Sequence, residues 1–324
     1  MLDLFIRTAQ IEGTALNDFD EVIGRRRRAN LDFTFFNEGF SMGRFNEYSY
    51  LGDTQKPQKA DSTIRLAFIG DSYVESFQLF RRDQFYSILE NDLTKKLGRN
   101  VKTLNFGRSG FDLADMYAYQ QRLVSQFHPD YIFYFLDNAD LNCTQADPLV
   151  PKVVVKGDSL QVVNDLMPKY AKNIFIKTNV ILQNSSVLTM ANKCSKLIKA
   201  GMFWPKILDK FYLPSKSSVT SSTKETEEVP ELAFKIVENL SENSIVVNRG
   251  EADFPASFLK AINGKSLFMI DLRDTLSVLK HQGTDPNFWP VTQKRGHWNY
   301  EAHQAIGYFL SHKIENLVNS KREK

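Results

Sequence analysis

The sequence contains little cysteine and little histidine, with two and five residues of these types among 324. Cys143 and Cys194 are too few and too far apart for a disulfide framework or a zinc site. The histidines are His128, His281, His297, His303 and His312. They lack the paired spacing of a zinc-binding helix. We therefore expect neither a metal nor a cofactor.

The sequence also lacks an apolar run long enough to cross a bilayer, which takes about 20 residues. Residues 1–7 carry an acid at position 3 and do not show the basic-then-apolar order of a secretory signal. These two absences predict a chain with no transmembrane segment. We expect a cytoplasmic location.

Neither sign of charge dominates, because the sequence contains 41 lysines and arginines and 38 aspartates and glutamates, which gives a formal net charge of +3. This balance gives no reason to expect a nucleic-acid partner. Four arginines at residues 25–28 are a local exception. We expect them to form a solvated surface or helix end, with a polyanion or lipid headgroups as the alternative contact. Neither G-x-G-x-x-G nor a P-loop follows a strand, so a flavodoxin-like nucleotide binder is poorly supported.

The chain does contain short apolar strands that alternate with segments of helical length. Strands are predicted at residues 64–69, 101–106, 131–136, 244–247 and 266–272, and helices at 84–97, 113–127, 231–240, 256–262 and 301–318. Such alternation is typical of βαβ units and of a parallel sheet. The sequence therefore predicts an α/β fold.

Residues 1–63 do not follow this alternation. They contain one predicted strand, 31–36, and then an irregular segment of polar, aromatic and glycine residues. We interpret them as an N-terminal arm that wraps around the α/β domain. That domain would comprise residues 64–140 and 231–320.

A predicted insertion at residues 141–230 separates the two parts of that domain. It begins with a β-hairpin at 153–163, whose turn is formed by Gly157 and Asp158, and it continues as a mostly helical stretch. Residues 215–230 consist almost entirely of Ser, Thr, Lys, Glu and Val. This composition buries too little apolar surface to offset ordering, so it predicts a mobile loop or linker.

Candidate functional residues lie where the predicted strands end. Ser72 follows the first strand of the α/β domain, Gly110 the second and Asn138 the third, while His297 precedes the last helix. Loops after parallel strands open on one edge of the sheet, so these residues can meet there. A serine, two oxyanion donors and a histidine are what acyl transfer needs. Each also has a structural interpretation: turn or cap chemistry for the first three, and a structural loop role for the histidine.

The same segments resemble the sequence blocks of the SGNH hydrolases, also called the GDSL family of esterases, lipases and carbohydrate acyl-transfer enzymes. Residues 68–72 resemble the first block, 105–110 the second, 137–138 the third and 297–299 the last. The blocks occur in the right order between residue 64 and about residue 310. The resemblance therefore covers the α/β domain and leaves out the arm and the insertion.

Membership of this family would imply a three-layer, flavodoxin-like parallel sheet, the SGNH hydrolase fold. It would also imply that Ser72 is the nucleophile and that His297 is its base. The oxyanion would be held by the Ser72 and Gly110 backbone N–H groups and by the Asn138 amide.

Two positions depart from the family pattern. Ala139 stands where the third block commonly has an aspartate, and Asp140 follows one place later. The family usually places an aspartate three residues before the histidine to orient its ring, but that position is Lys294. We expect either a Ser-His dyad or an acid from elsewhere, with Asp285 as the first candidate and Asp274 as the second. Such an acid can be worth about four orders of magnitude in turnover.

The resemblance implies a serine esterase that acts on an acylated, for example O-acetylated, carbohydrate or another small ester through an acyl-enzyme. A sugar hydroxyl in place of water would make the protein an O-acyltransferase, and the sequence leaves both open. Lys294 motivates a third reading, an inactive SGNH-fold module for sugar binding or assembly. Aromatic residues at 203–204, 288–289 and 298 lie in predicted loops, where they can stack on sugar rings. The sequence does not predict an oligomeric state.

Overall fold

The computed structural model describes residues 1–8, 16–35, 37–60, 62–157, 159–164, 166, 184–199 and 228–320. The chain divides into two compact units. One unit comprises Met1–Asn17 and Tyr170–Glu228, and the other comprises Asp18–Lys169 and Val229–Lys324. The second unit contains the central sheet and the four candidate residues that the sequence singles out, Ser72, Gly110, Asn138 and His297.

The helices and strands follow in chain order. The first part of the chain contains α1 (Leu2–Thr8), β1 (Asn17–Asp20), β2 (Gly24–Arg27), β3 (Asp32–Phe35), β4 (Ser41–Arg44) and β5 (Ile64–Ile69). The middle part contains α2 (Ser72–Glu75), α3 (Phe85–Leu97), β6 (Val101–Asn105), α4 (Leu113–Arg122), β7 (Tyr131–Leu136), β8 (Lys152–Lys156), β9 (Ser159–Val163) and α5 (Ser186–Lys199). The last part contains α6 (Glu231–Asn239), β10 (Ser244–Asn248), α7 (Ala256–Gly264), β11 (Phe268–Asp271), α8 (Arg273–His281), β12 (Phe288–Trp289), β13 (Lys294–Arg295) and α9 (Tyr300–Ser320).

The central sheet has five parallel strands in the order β11-β10-β7-β5-β6. Strands β5, β7 and β10 are buried along their whole length, which explains why they appear as continuous apolar runs. Side chains alternate between the two faces of the sheet. One face packs against α4, α6 and α7, and the other against α3 and α9. The predicted α/β fold with a three-layer, flavodoxin-like parallel sheet is confirmed.

Two predicted elements have different bounds in the structure. The helix predicted at 113–127 ends at Arg122 and continues as a 3₁₀ turn, because Leu123 leaves the helical conformation with φ −129°. The strand predicted at 266–272 is reduced to β11. Ser266 before it has φ 54°, a left-handed conformation that a strand does not contain, and α8 follows it directly.

The described arm residues of the second unit pack against the rest of that unit. Strands β3 and β4 form an antiparallel hairpin, and Phe33 and Phe45 place their rings edge-on against Phe77 with centroids 4.9 and 5.7 Å away. Leu51 forms an antiparallel bridge to Asn105 of β6, so the arm continues along that edge of the sheet. This packing fixes the segment between β3 and β4, where Glu38 lies.

The hairpin predicted at 153–163 is present as β8 and β9, which pair antiparallel. Of the helical stretch predicted after it, the structure describes α5; residues 215–227 of the predicted mobile loop lie outside the described residues. Among the residues that are described, no helix combines the length and the apolar character that crossing a membrane requires.

Candidate active site

Ser72 is the first residue of the short helix α2, directly after β5. Its neighbour Asp71 caps this helix by accepting a hydrogen bond from the backbone N–H of Tyr73 at 3.0 Å. The helix ends at once, because Ser76 takes a left-handed conformation with φ 57°. This tight strand-turn-helix connection leaves the Ser72 side chain only partly buried, at the edge of the sheet where ligands bind in such folds.

His297 approaches Ser72 from the loop before α9. Its Nε2 lies 2.8 Å from the Ser72 Oγ, which is hydrogen-bonding distance. The loop is held on both sides of the histidine: Trp289 donates its indole N–H to the His297 carbonyl at 3.0 Å, and Asn299 caps α9 through the N–H of Ala302. The structure therefore brings the predicted serine and histidine into direct contact.

Glu38 of the arm occupies the position behind the histidine. Its Oε1 and Oε2 lie 2.8 and 3.0 Å from the His297 Nδ1, and Oε2 also accepts the His297 backbone N–H at 3.1 Å. Thr292 donates to the Glu38 carbonyl at 2.8 Å and fixes the backbone there. Burial alone would raise the pKa of Glu38, but the hydrogen bond and charge of His297 hold it below its ordinary value. Glu38 is therefore ionised at neutral pH.

The close approach of Glu38 depends on Gly296. A Cβ built on Gly296 would lie 2.5 Å from the Glu38 Cδ and 2.6 Å from its Oε1. No side chain fits at position 296 unless the carboxylate moves away. The glycine before the histidine thus makes room for the acid.

The acids that the sequence favoured for this position lie elsewhere. Asp285 forms an ion pair with Arg295 and accepts the N–H of Asn287 at 3.0 Å. Asp274 is exposed in the first turn of α8. Neither contacts His297, so the prediction of Asp285, with Asp274 as second choice, does not agree with the geometry. The physical reason is that the Glu38 carboxylate already fills the space beside Nδ1.

Gly110 and Asn138 lie on the loops after β6 and β7, the two strands that flank β5. Gly110 has φ +84°, which glycine adopts without strain, and its N–H has no hydrogen-bond acceptor among the described residues. The Asn138 amide donates one hydrogen to the Asp253 carbonyl at 3.0 Å. A primary amide nitrogen carries two hydrogens, so one remains for another acceptor.

Arg249, after β10, connects the Ser72 turn to the Asn138 loop. Its Nη2 lies 2.9 Å from both Asp71 Oδ2 and Asp140 Oδ2, and its Nη1 lies 2.8 Å from Asp137 Oδ2. The guanidinium also lies 4.8 Å from the centre of the Tyr73 ring. Burial raises the pKa of Asp140 to about 7, since the attraction of Arg249 is opposed by two neighbouring carboxylates. One buried cation thus holds three acids in place.

Two further expectations need correction. The four arginines at 25–28 do not simply form a solvated surface: Arg27 is buried and forms an ion pair with Glu75. Trp289 and Trp298 are 1 % and 2 % exposed, so they pack in the interior and do not offer a face for sugar stacking. Residues 203–204 lie outside the described part of the chain.

Sequence reasoning missed Glu38, Arg249 and Arg27. Arg249 carries a usable signal, because it follows a predicted strand at the same edge as the other candidates. Glu38 carries a weaker one, an acid beside a glycine in an aromatic segment. It is 259 residues from His297, and no spacing rule links them.

A cavity of about 500 Å³ is lined by chain neighbours of the serine and histidine, but not by Ser72 or His297 themselves. Tyr73 follows Ser72 in the chain, and Gly296 and Trp298 flank His297. Six of its fourteen lining residues are charged: Asp137, Arg249, Glu251, Arg273, Lys280 and Arg295. The cavity is therefore large enough for a small ligand, and it combines charged with apolar lining residues.

No protein-family model matches the chain, and no curated protein matches it. Several solved structures are similar. LAE5, an alpha/beta hydrolase enzyme from the metagenome of Lake Arreo, is 14% identical with a TM-score of 0.40, over 79% of this chain and 96% of its own. A member of the lipolytic protein G-D-S-L family from Veillonella parvula DSM 2008 is 12% identical with a TM-score of 0.37, over 76% and 94%.

A two-domain esterase active on acetylated mannans is also 12% identical with a TM-score of 0.37, and the match covers 78% of this chain and 49% of the esterase. The similar structures thus include a G-D-S-L lipolytic protein and an esterase. At these scores none of them carries an argument about activity.

Proposed function

We propose that the chain is a serine esterase of the SGNH type that forms an acyl-enzyme on Ser72. The observation that carries this proposal is the continuous hydrogen-bonded line from the Ser72 Oγ through His297 to the Glu38 carboxylate. Serine, histidine and acid in this arrangement are the groups of a nucleophilic triad. The inactive-module reading loses its motivation, because Glu38 takes the role that Lys294 cannot take.

The chemistry follows from the two histidine contacts. An ionised Glu38 accepts a hydrogen bond, so the His297 proton resides on Nδ1 and Nε2 keeps its lone pair. Nε2 takes the Ser72 proton as Oγ forms a bond to the ester carbonyl carbon. The Ser72 and Gly110 N–H groups and the Asn138 amide hold the oxyanion. The imidazolium then protonates the alcohol oxygen as the ester bond breaks, which leaves the acyl-enzyme.

Water completes the cycle by the same steps in reverse roles. His297 removes a proton from water, the water oxygen attacks the acyl carbon, and the Ser72 oxygen leaves with the proton from the imidazolium. A sugar hydroxyl in the place of water would give an O-acyltransferase. We keep this as the alternative, because a cavity that receives one alcohol can receive another.

The cavity supports a carbohydrate as the alcohol part of the substrate. The leaving alcohol takes its proton from His297, and the residues on either side of this histidine, Gly296 and Trp298, line the cavity. Charged side chains such as Lys280 and Arg295 would be desolvated by an alkyl chain but can bond to hydroxyl groups. A polyhydroxylated alcohol with a small acyl group therefore fits better than a lipid ester.

The triad is tested by labelling and turnover. We expect a fluorophosphonate to label Ser72 and p-nitrophenyl acetate to be hydrolysed, with both lost in Ser72→Ala. Labelling that disappears in Ser72→Ala but is unaffected in His297→Ala would remove the histidine from the mechanism.

Acetylated monosaccharides and hexyl acetate, compared by kcat/KM, test the preference for a sugar alcohol. Mass spectrometry after addition of a sugar acceptor separates hydrolysis from transfer.

The identity of the acid is tested by a matched pair of variants. Glu38→Gln removes the charge that stabilises the imidazolium, and we expect kcat to fall by about 10²- to 10⁴-fold. Asp285→Asn removes only a surface ion pair, and kcat should stay within about twofold. The opposite ranking of the two variants would restore Asp285 as the orienting acid.

A further inference from the structure

A buried ion pair lies behind the loop that follows β6. Arg27 of β2 places Nε 2.7 Å from Glu75 Oε1 and Nη2 2.7 Å from Glu75 Oε2, a bidentate pair. Arg27 is 9 % and Glu75 1 % exposed. Burying two charges is costly even when they are paired, so the pair is not explained by stability alone.

Glu75 also binds the loop itself. Its Oε2 accepts the backbone N–H of Ser109 at 3.0 Å, and the Ser109 hydroxyl donates to the same oxygen. The peptide unit that follows Ser109 is planar and contains the N–H of Gly110. Because both the backbone nitrogen and the side chain of Ser109 are fixed by Glu75, the direction of the Gly110 N–H is restricted as well.

Further contacts fix both the Arg27 guanidinium, which pairs with Glu75, and the loop that follows β6. The Arg27 guanidinium lies 4.8 Å from the centre of the Phe77 ring, and the ring limits its rotation. The buried Arg108 donates to the Arg25 carbonyl at 3.0 Å, while its backbone N–H donates to the Gly70 carbonyl at 2.9 Å. The loop is thereby attached both to the arm and to the strand end before Ser72.

We propose that Arg27 is a positioning residue for the oxyanion hole, acting through Glu75 and Ser109 on the Gly110 N–H. This inference rests on the proposed esterase function. Arg27 does not touch the substrate. The arm would then serve the reaction twice, since Glu38 orients the base and Arg27 orients an oxyanion donor.

The test separates positioning from folding by means of a double variant. Arg27→Met alone leaves a buried carboxylate without its partner and can prevent folding. In Arg27→Met/Glu75→Met both charges are replaced by apolar groups of similar size, so we expect the variant to fold, with Ser109 released from Glu75. We expect kcat for p-nitrophenyl acetate to fall about 10- to 100-fold with KM within twofold. The Ki of phenylboronic acid, whose serine adduct is a tetrahedral anion, should rise by a similar factor.

The control is Lys59→Met. Lys59 pairs with Asp130 at 2.5 Å, another contact between the arm and the rest of the second unit. Asp130 lies at the amino end of β7, whereas the site lies at the carboxyl ends of the strands. This variant should keep kcat and Ki. A folded double variant with the kcat and boronate Ki of the wild type would overturn the positioning role and leave the esterase proposal intact. Absence of both turnover and labelling in the wild type would overturn both.

Discussion

At the scale of single residues, Gly296 decides how Glu38 meets the imidazole. In Gly296→Ala the new methyl group would displace the end of a flexible side chain, which is cheap for stability. The displaced carboxylate would no longer orient His297, and a misplacement of about 1 Å can cost about 10²-fold in rate. We expect kcat, measured by ester turnover, to fall about 10- to 100-fold. The melting temperature, measured by calorimetry, should be nearly unchanged.

Gly264→Ala provides the matched control for this substitution. A Cβ at Gly264, at the end of α7, meets no atom within 4 Å, so the same chemical change should leave kcat unaltered. Equal kcat values in the two variants would show that the space beside Glu38 does not matter.

The residues of the site differ in how far the sequence could predict them. Ser72 and His297 follow from their places at a strand end and before the last helix, because the topology of a parallel sheet brings such positions together. Glu38 could not be found in this way. Its approach to His297 depends on how the arm folds back. Asp285, the first candidate from the sequence, instead forms an ion pair with Arg295.

At the scale of elements, α4 contains a buried acid that should shape the pH dependence of stability. Asp112 caps the helix and Asp115 completes the capping box, yet Asp115 Oδ1 has no hydrogen-bond partner in the described part of the chain. Burial, reinforced by the charge of Asp112, raises the pKa of Asp115 to about 7. In the unfolded chain an aspartate titrates near 4. The folded state therefore holds the proton over this interval, and the free energy of unfolding falls as the pH rises from about 4 to about 7.

Asp115→Asn removes this titration and keeps an acceptor for the Asp112 N–H. We expect the decline in the free energy of unfolding between pH 4.5 and 7.5, measured with urea, to shrink by an amount on the order of 1 kcal/mol or more. Asp274→Asn, at an exposed helix start, should leave the decline as it is. An unchanged decline in Asp115→Asn would mean that this carboxyl ionises normally.

Elements were predictable where the burial pattern is simple. The strands β5 and β7 are covered on both faces, so their apolar runs end where the strands end. The helix α8 was not predicted, because none of its residues is fully buried and its amphipathic pattern extends over only nine residues. The β3–β4 hairpin of the arm was only half predicted, because its second strand contains Gly43 and few apolar residues.

At the scale of the whole molecule, two of the carboxylates that attach the arm to the rest of the second unit have a lowered pKa: Glu38, which contacts His297, and Glu75, which contacts Arg27. Burial alone would raise the pKa of each, but the cationic or hydrogen-bonding partner holds it below the ordinary value near 4.5. Stability that depends on a lowered pKa is present above the unfolded value and is lost as the pH falls through the folded one. Acid should therefore loosen the arm.

Hydrogen exchange followed by mass spectrometry can test this at pH 3.5 and 7, after correction for the intrinsic rates. We expect protection of residues 18–45 to be weaker at the lower pH while peptides of β5 and β7 stay protected. Simultaneous loss of protection in arm and sheet would contradict separate release of the arm.

The order of the three groups along the chain has a consequence for synthesis. The acid at position 38 and the serine at position 72 leave the ribosome early, and the histidine at position 297 leaves it late. A nascent chain therefore contains β5 and Ser72 before it contains His297, the base that would activate the serine. Ester turnover should begin only after α9 has emerged and the segment around residue 297 has met those around residues 38 and 72.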